Sequence, residues 1–288
     1  FGVEKKIARI RDLEYLNYEN LFADESTPID FTISPDLIAS SYIKKLIKYQ
    51  GTRQVFNFSN DNDCFINIVF KEKNNEENSI MYFQESCEKF NAKICAFIRK
   101  DKLYSIEDGD IIENNDELLL ICKEENIEDI MKLFGRNKNN KRIMIAGGGN
   151  IGRHLSENIS EDYQVKVIES NEERAEFLSE IIDDVTIINA DSSNEDILLE
   201  ENIEHMDVFC ALTNDDEANI LSAMLAKKLG SKTVISIINK ISYSDLVENQ
   251  EIDITVSPED LTMGALLTHI RKGSIVKAHS LMRGNLEL

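Results

Sequence analysis

Lys141-Arg142-Ile143-Met144-Ile145-Ala146-Gly147-Gly148-Gly149-Asn150-Ile151-Gly152-Arg153-His154-Leu155 is the stretch on which the fold turns. Arg142–Ala146 is a short, continuous apolar run that predicts a strand covered on both faces. Beyond it, Ile151, Leu155 and Ile159 recur at helical spacing, so a helix follows the strand directly. Between the two stand Gly147, Gly149 and Gly152, spaced G-x-G-x-x-G. Gly147 permits a tight turn, Gly149 lets the backbone approach a pyrophosphate, and Gly152 lets helix and strand pack closely. The start of that helix offers unpaired N–H groups and the positive end of its dipole to phosphates. The glycine string alone is a weak signal; flanked by a strand and a helix it predicts a Rossmann-type nucleotide site.

Downstream, apolar runs alternate with helical patterns: Val165–Glu169, Thr186–Ala190, Val208–Leu212, Thr233–Ile238 and Ile254–Val256. Regular strand–helix alternation predicts an α/β fold with a doubly wound parallel sheet. Glu169 ends the second strand, 22 residues after Gly147. A carboxylate there accepts from both ribose hydroxyls and repels a 2′-phosphate, which favours NAD(H) over its phosphorylated form. ATP and ADP share the free 2′-hydroxyl, so Glu169 admits them to the same site. The plainer reading of Glu169 is a solvated side chain at a strand end. Arg153 either assists a phosphate or is solvated in the first helical turn. Asp191, after the third strand, either lines the adenine edge or caps the helix near Glu195. Thr213 and Asn214 follow the fourth strand at its carboxyl end, where ligands collect in such sheets, and either can also cap the next helix. The run Asp215-Asp216-Glu217 can hold a divalent cation or simply form a solvated helix N-terminus.

Upstream, part of this pattern occurs a second time. Ile29-Asp30-Phe31-Thr32-Ile33-Ser34-Pro35 returns as Ile252-Asp253-Ile254-Thr255-Val256-Ser257-Pro258. Each copy leads into a helical pattern closed by a glycine, Gly51 or Gly273, and Lys6–Arg11 lies over the Val234–Asn239 segment. Residues 1–51 are therefore expected to be the C-terminal remainder of a first Rossmann module, in a chain that begins mid-domain. Residues 52–136 predict a small α/β domain, with strands at Ile66–Phe70, Ile94–Ile98 and Glu117–Cys122, helices at Ser79–Phe90 and Asn126–Phe134, and a turn at Asp108-Gly109-Asp110. A polar linker at 137–140, a complete second module at 141–273 and an unfinished second small domain at 274–288 complete the expected organisation.

With 32 basic and 53 acidic residues the formal net charge is -21, which repels nucleic acid and anionic lipid alike. No apolar run approaches a membrane span, and no leader pattern opens the chain. Five cysteines, none paired as C-x-x-C, read as buried reduced thiols of a cytosolic protein. The four histidines have neither metal-ligand spacing nor an acid–base partner; His205 lies at the wrong end of the sheet, His154 and His269 in helices. No catalytic residues, no metal site and no enzymatic activity are expected. An NAD-dependent oxidoreductase, the enzymatic alternative, needs an acid–base pair and a substrate domain.

The segments Lys6–Arg11, Ile29–Pro35, Lys141–Met144 with Gly147–Gly152, Thr213–Ile220 and Ser222–Lys228 resemble the cytosolic regulatory subunits of Trk-type potassium uptake systems, built from RCK/KTN modules. The resemblance runs essentially end to end and implies RCK N-type Rossmann modules with small RCK C-type partners. It implies NAD(H) contacts at Gly147, Gly148, Gly149, Asn150, Ile151, Gly152, Glu169, Thr213 and Asn214. Arg9 matches a nucleotide-contacting arginine of the first module, and Ile237 stands at the equivalent place in the second. As partners it implies a ring of like modules and a potassium-translocating membrane subunit, with the chain peripheral on the inner face of the cell membrane. A nucleotide sensor for another transporter or channel is the alternative. Asn189-Ala190-Asp191 departs from the family, which has a glycine before the aspartate; the small domain matches only loosely.

Overall fold

The computed structural model describes residues 6–10, 29–57, 62–71, 78–100, 102–107, 109–136, 141–240, 242–243, 247, 252–270, 280–281 and 286–287. Strand β1 (Ile7–Arg9) lies parallel to β2 (Phe31–Ile33), with Ile7 opposite Phe31 and Arg9 opposite Ile33. Helix α1 (Pro35–Lys48) follows at once. Ser34 caps it by accepting from the Leu37 N–H, and Pro35 fills the first turn, where no N–H donor is needed.

The next unit contains β3 (Thr52–Asn57), β4 (Asp63–Val69), α2 (Ile80–Glu88), β5 (Lys93–Arg99), β6 (Lys102–Ser105), β7 (Glu117–Lys123) and α3 (Ile127–Leu133). Its sheet has the order β3-β4-β7-β5-β6 and is antiparallel throughout. Two of these strands carry no clear period in the sequence. All four residues of β6 are exposed, and β3 has an irregular register between Thr52 and Gln54 that breaks the inside–outside alternation. The same effect corrects one expectation about the thiols. Cys95 sits where the β5–β7 register shifts between Ile94 and Ala96, and it is exposed, whereas Cys64, Cys87, Cys122 and Cys210 are buried. Burial pushes Cys87 and Cys122 up to about 12, so both stay protonated and inert. Asp108 and the 137–140 linker lie outside the described residues, but Gly135 and Arg136 belong to this unit. Gly135 takes φ +71°, the Arg136 N–H donates to the Met131 carbonyl, and its guanidinium donates to the Val69 carbonyl at 3.1 Å.

Then the parallel alternation begins: β8 (Arg142–Ala146), α4 (Asn150–Ile159), β9 (Gln164–Glu169), α5 (Glu172–Ile181), β10 (Val185–Asn189), α6 (Glu195–Glu200), β11 (Val208–Ala211), α7 (Asp216–Lys228), β12 (Thr233–Ile237), β13 (Ile254–Val256) and α8 (Pro258–Ile270). The sheet order is β10-β9-β8-β11-β12-β13, all parallel. That is the doubly wound Rossmann order, in which the chain reverses direction of growth between β8 and β11. Alternate residues explain the continuous apolar runs. Ile143 and Ile145 face one core with Leu155 and Ile159 of α4; Met144 and Ala146 face the other with Ala223 and Ala226 of α7. Beyond α8, Ser280–Leu281 pairs antiparallel with Leu286–Glu287.

The repeat is visible in register. Ile7 opposes Phe31 as Ile235 opposes Ile254, and both pairs are parallel. Helix α1, however, goes further than the repeat implies. Ile43, Leu46 and Ile47 are buried in the core that contains α4 and the parallel sheet, while Tyr49, just past its end, is buried in the core of the small unit. One helix thus joins both cores. Lys44 adds a 2.8 Å hydrogen bond from its ammonium to the Asn158 carbonyl at the end of α4.

Candidate functional site

The site lies where β8 gives way to α4, beside the switch point between β8 and β11. Gly147 has φ +103°, a left-handed value, and a Cβ there would stand 2.9 Å from the Thr213 nitrogen. The loops after β8 and β11 can therefore meet only over a glycine. A Cβ on Gly152 would fall 2.0 Å from the Gly147 carbonyl oxygen, and one on Gly148 would fall 2.3 Å from Leu178. A Cβ on Gly149 meets nothing within 4 Å. The open side of the loop is thus at Gly149, where a pyrophosphate has to approach. Gly149 is also the N-cap of α4 and supplies no side chain to cap it. In the same sheet, α5, α6 and α7 are capped by Asn171, Asn194 and Asp215. The first N–H groups of α4, on Asn150, Ile151 and Gly152, are left to an external acceptor.

Glu169 faces this loop from the end of β9. One carboxylate oxygen accepts from the Gly148 N–H at 2.7 Å, the other from the Asn171 N–H at 2.8 Å. Two backbone donors hold the group in place, and each oxygen keeps a lone pair for a ribose hydroxyl. Arg174, which the sequence reading passed over, donates its Nε to the Gly148 carbonyl at 2.9 Å and lies 5.1 Å over the Phe177 ring. It is three residues past the α5 cap, so a basic residue in the first turn after the acidic strand end was its only signal.

The remaining expected residues divide. Asp191 is exposed and accepts from the N–H and hydroxyl of Ser193, which holds its carboxyl below the usual range; the cap of α6 is Asn194, so of the two alternatives for Asp191 the capping one fails. Asn189, at the departure from the family pattern, donates to the Glu169 and Ser170 carbonyls and ties the β10 end to β9. Thr213 and Asn214 do not cap α7 either, since Asp215 accepts from the Ala218 N–H. Thr213 is held by fully buried Asn219, whose Oδ1 accepts from the Thr213 N–H at 2.8 Å and hydroxyl at 2.7 Å. Asn219 also donates to the carbonyls of Thr213 and Ile237. Asn214 is exposed at the loop tip. Arg9 is exposed on β1, and none of its described hydrogen bonds or ion pairs reaches the glycine loop.

The acidic run after Thr213 is the N-terminus of α7, with Asp215 and Glu217 exposed. Asp216 is buried and accepts from the N–H groups of Asn239 and Lys240. Hydrogen bonds from Tyr243 and Lys240 lower Glu217 to about 2. Among the described residues no group of three or more His, Cys, Asp or Glu is placed to hold a metal ion.

On α4, His154 is buried, with Nδ1 3.3 Å from Glu157 and Nε2 without a hydrogen-bond partner. Burial and the neighbouring Arg153 push its pKa below the ordinary value, against the opposite pull of Glu157 and Asp36. A histidine kept neutral by folding contributes stability above its unfolded pKa of about 6.5, and that stability is lost as pH falls through the window down to the folded value. Urea midpoints at pH 7.5 and 5.5 should fall further in the natural chain than in His154→Gln; an equal fall in both would show that His154 titrates as it does unfolded.

Residues 143–258, from β8 to the start of α8, match the TrkA-N domain family. The whole chain is 38% identical to the Trk system potassium uptake protein TrkA of Halomonas elongata and 38% identical to that of Vibrio alginolyticus. The chain carries a TrkA-N domain and is similar along its whole length to these TrkA proteins. It spans 63% of the length of each of those two proteins. The glycine loop, Glu169 and the Thr213 loop all lie inside the TrkA-N domain, whereas Arg9 and α1 precede it. Among solved structures, the GsuK channel superposes with a TM-score of 0.62 over 91% of this chain and 46% of its own, at 16% identity. The GsuK channel bound to NAD superposes with a TM-score of 0.59 over 91% of this chain and 46% of its own, at 15% identity. At that identity the likeness is one of fold, and it extends beyond the TrkA-N domain to the small unit.

Proposed function

We propose that this chain binds NAD(H) at the glycine loop and serves as the regulatory part of a potassium uptake system. The observation that carries the reading is the pairing of an uncapped α4 N-terminus, open at Gly149, with a Glu169 carboxylate already oriented by two backbone N–H groups. The residues fit the ligand: Gly149, Asn150 and Ile151 take the pyrophosphate, Gly147 and Gly152 shape the loop, and Glu169 takes the adenosine ribose. Thr213 and Asn214 border the far end, toward the nicotinamide, and Asp191 the adenine edge. ATP and ADP fit the same ribose clamp. The naming of its TrkA relatives and the NAD held by the GsuK channel, which shares its fold, support the same reading.

In this reading the chain works as one of several modules in a ring docked on a potassium-translocating membrane subunit, on the cytoplasmic face. Among its described residues no helix is long and apolar enough to cross a membrane. Strands β1 and β2 with helix α1 then belong to a first Rossmann module that repeats β12, β13 and α8. A nucleotide biases the membrane partner only through its difference in affinity for two arrangements of the ring, typically about 1–3 kcal/mol.

Calorimetric titration with NADH, NAD⁺, ADP and ATP tests the site. Glu169→Ala is expected to weaken NADH at least about 100-fold, since it removes two hydrogen bonds to a charged group, each worth about 1.5–3 kcal/mol. A folded Glu169→Ala protein that binds NADH as the natural chain does would sink the ribose clamp; no binding to the folded natural chain would sink the site.

A further inference from the structure

We propose that Asp36, on the helix that precedes the TrkA-N domain, selects among nucleotides by charge and favours a dinucleotide over ADP and ATP. The inference rests on the proposed nucleotide site and deepens it. Asp36 stands in the first turn of α1, half-buried, and its carboxylate accepts from the Asn150 side-chain amide at 3.0 Å. Asn150 is the first residue of α4, so a fixed negative group lies one side chain away from the N–H groups that take phosphates. Among the described residues no lysine or arginine forms an ion pair with Asp36. Arg153 on α4 lies 3.6 Å from Glu157, and the titratable group that feels the Asp36 charge is His154.

The direction of the ligand follows from Glu169. With the adenosine ribose at Glu169, which bonds Gly148, the phosphates extend along Gly149 toward Asn150, and the terminal one comes nearest to Asp36. In a dinucleotide both phosphates are bridging and carry one charge each. In ADP or ATP the last phosphate carries nearly a second charge at pH 7, and it would face the half-buried Asp36 carboxylate past the exposed Asn150 side chain. The like-charge repulsion is thus larger for a terminal phosphate than for a pyrophosphate that continues into a second ribose. Helix α1 cannot easily carry Asp36 away, because Ile43, Leu46 and Ile47 anchor it in the core beneath.

Titrations of NADH, ADP and ATP in low salt with a chelator present, on the natural chain, Glu169→Ala, Asp36→Asn and Asp36→Glu, test this. Asp36→Asn keeps a hydrogen-bond acceptor for Asn150 and removes the charge. It is expected to tighten ATP about 10-fold, ADP about 5-fold and NADH no more than about 2-fold, a pattern that added salt compresses. Asp36→Glu retains the natural preference. Equal shifts for all three ligands, or none, overturn the charge selection while Glu169→Ala still reports an intact site. If Glu169→Ala binds NADH like the natural chain, the site reading and the selection fall together.

Discussion

Gly152→Ala is expected to lower the free energy of unfolding by about 2–3 kcal/mol and to abolish NADH binding. The added methyl would lie 2.0 Å from the Gly147 carbonyl oxygen, and both groups are backbone-bound, so no side-chain rotation relieves the clash. Either α4 tilts away from β8 or the loop loses its turn; overpacking of this kind costs about 1–3 kcal/mol and displaces what it touches. Gly149→Ala provides the contrast. A methyl there meets nothing within 4 Å, so folding should change by less than about 1 kcal/mol, the usual scale for a glycine cap replaced by alanine. Binding should still be lost, because the methyl occupies the space a pyrophosphate needs. Urea unfolding and NADH titration on both variants separate the two roles. If Gly152→Ala unfolds and binds like the natural chain, the close loop–helix packing is not what shapes the site.

Asn219→Leu should destabilise the protein by about 3–5 kcal/mol. The Asn219 side chain is fully buried and makes four hydrogen bonds, accepting from the Thr213 N–H and hydroxyl and donating to the carbonyls of Thr213 and Ile237. Leucine has the same branching but is bulkier, leaves the Thr213 N–H and carbonyl unpaired at about 1–3 kcal/mol each when buried, and leaves the Ile237 carbonyl only its 3.4 Å bond from the Ser236 hydroxyl. The loss also frees the loop that ends β11, so NADH affinity should drop alongside stability. A change in unfolding free energy below about 1 kcal/mol would show that water replaces the amide, and would remove Asn219 as the brace of that loop.

These residues also show how far the amino-acid order could be read. Gly147 and Gly152 announced the loop because only glycine meets their steric demands, which are local, whereas Gly149 leaves its space open. Glu169 was legible for the same reason, as its spacing from the loop follows from one strand–helix–strand unit. The roles of Thr213, Asn214 and Asp191 were read as ambiguous between ligand and cap, and both capping assignments failed. Asp215 and Asn194 cap the helices instead, one to three positions along, where their side chains accept from the Ala218 and Asp196 N–H groups. Cys95 misled because a register shift turns a residue outward without leaving any mark on the hydrophobic pattern.

The doubly wound sheet, its nucleotide loop and the recurrence of β1, β2 and α1 in β12, β13 and α8 were all contained in periodicity, glycine spacing and repeat. Those are properties of neighbours along the chain or of one repeated unit. What the order of residues did not contain is where α1 goes. Its apolar stripe says only that something must cover it, not which core it joins. Packing chose the parallel-sheet core for Ile43, Leu46 and Ile47 and the small core for Tyr49. That choice sets Asp36 beside Asn150, 114 positions away in the chain, and adds a charge to the site that no local pattern could announce.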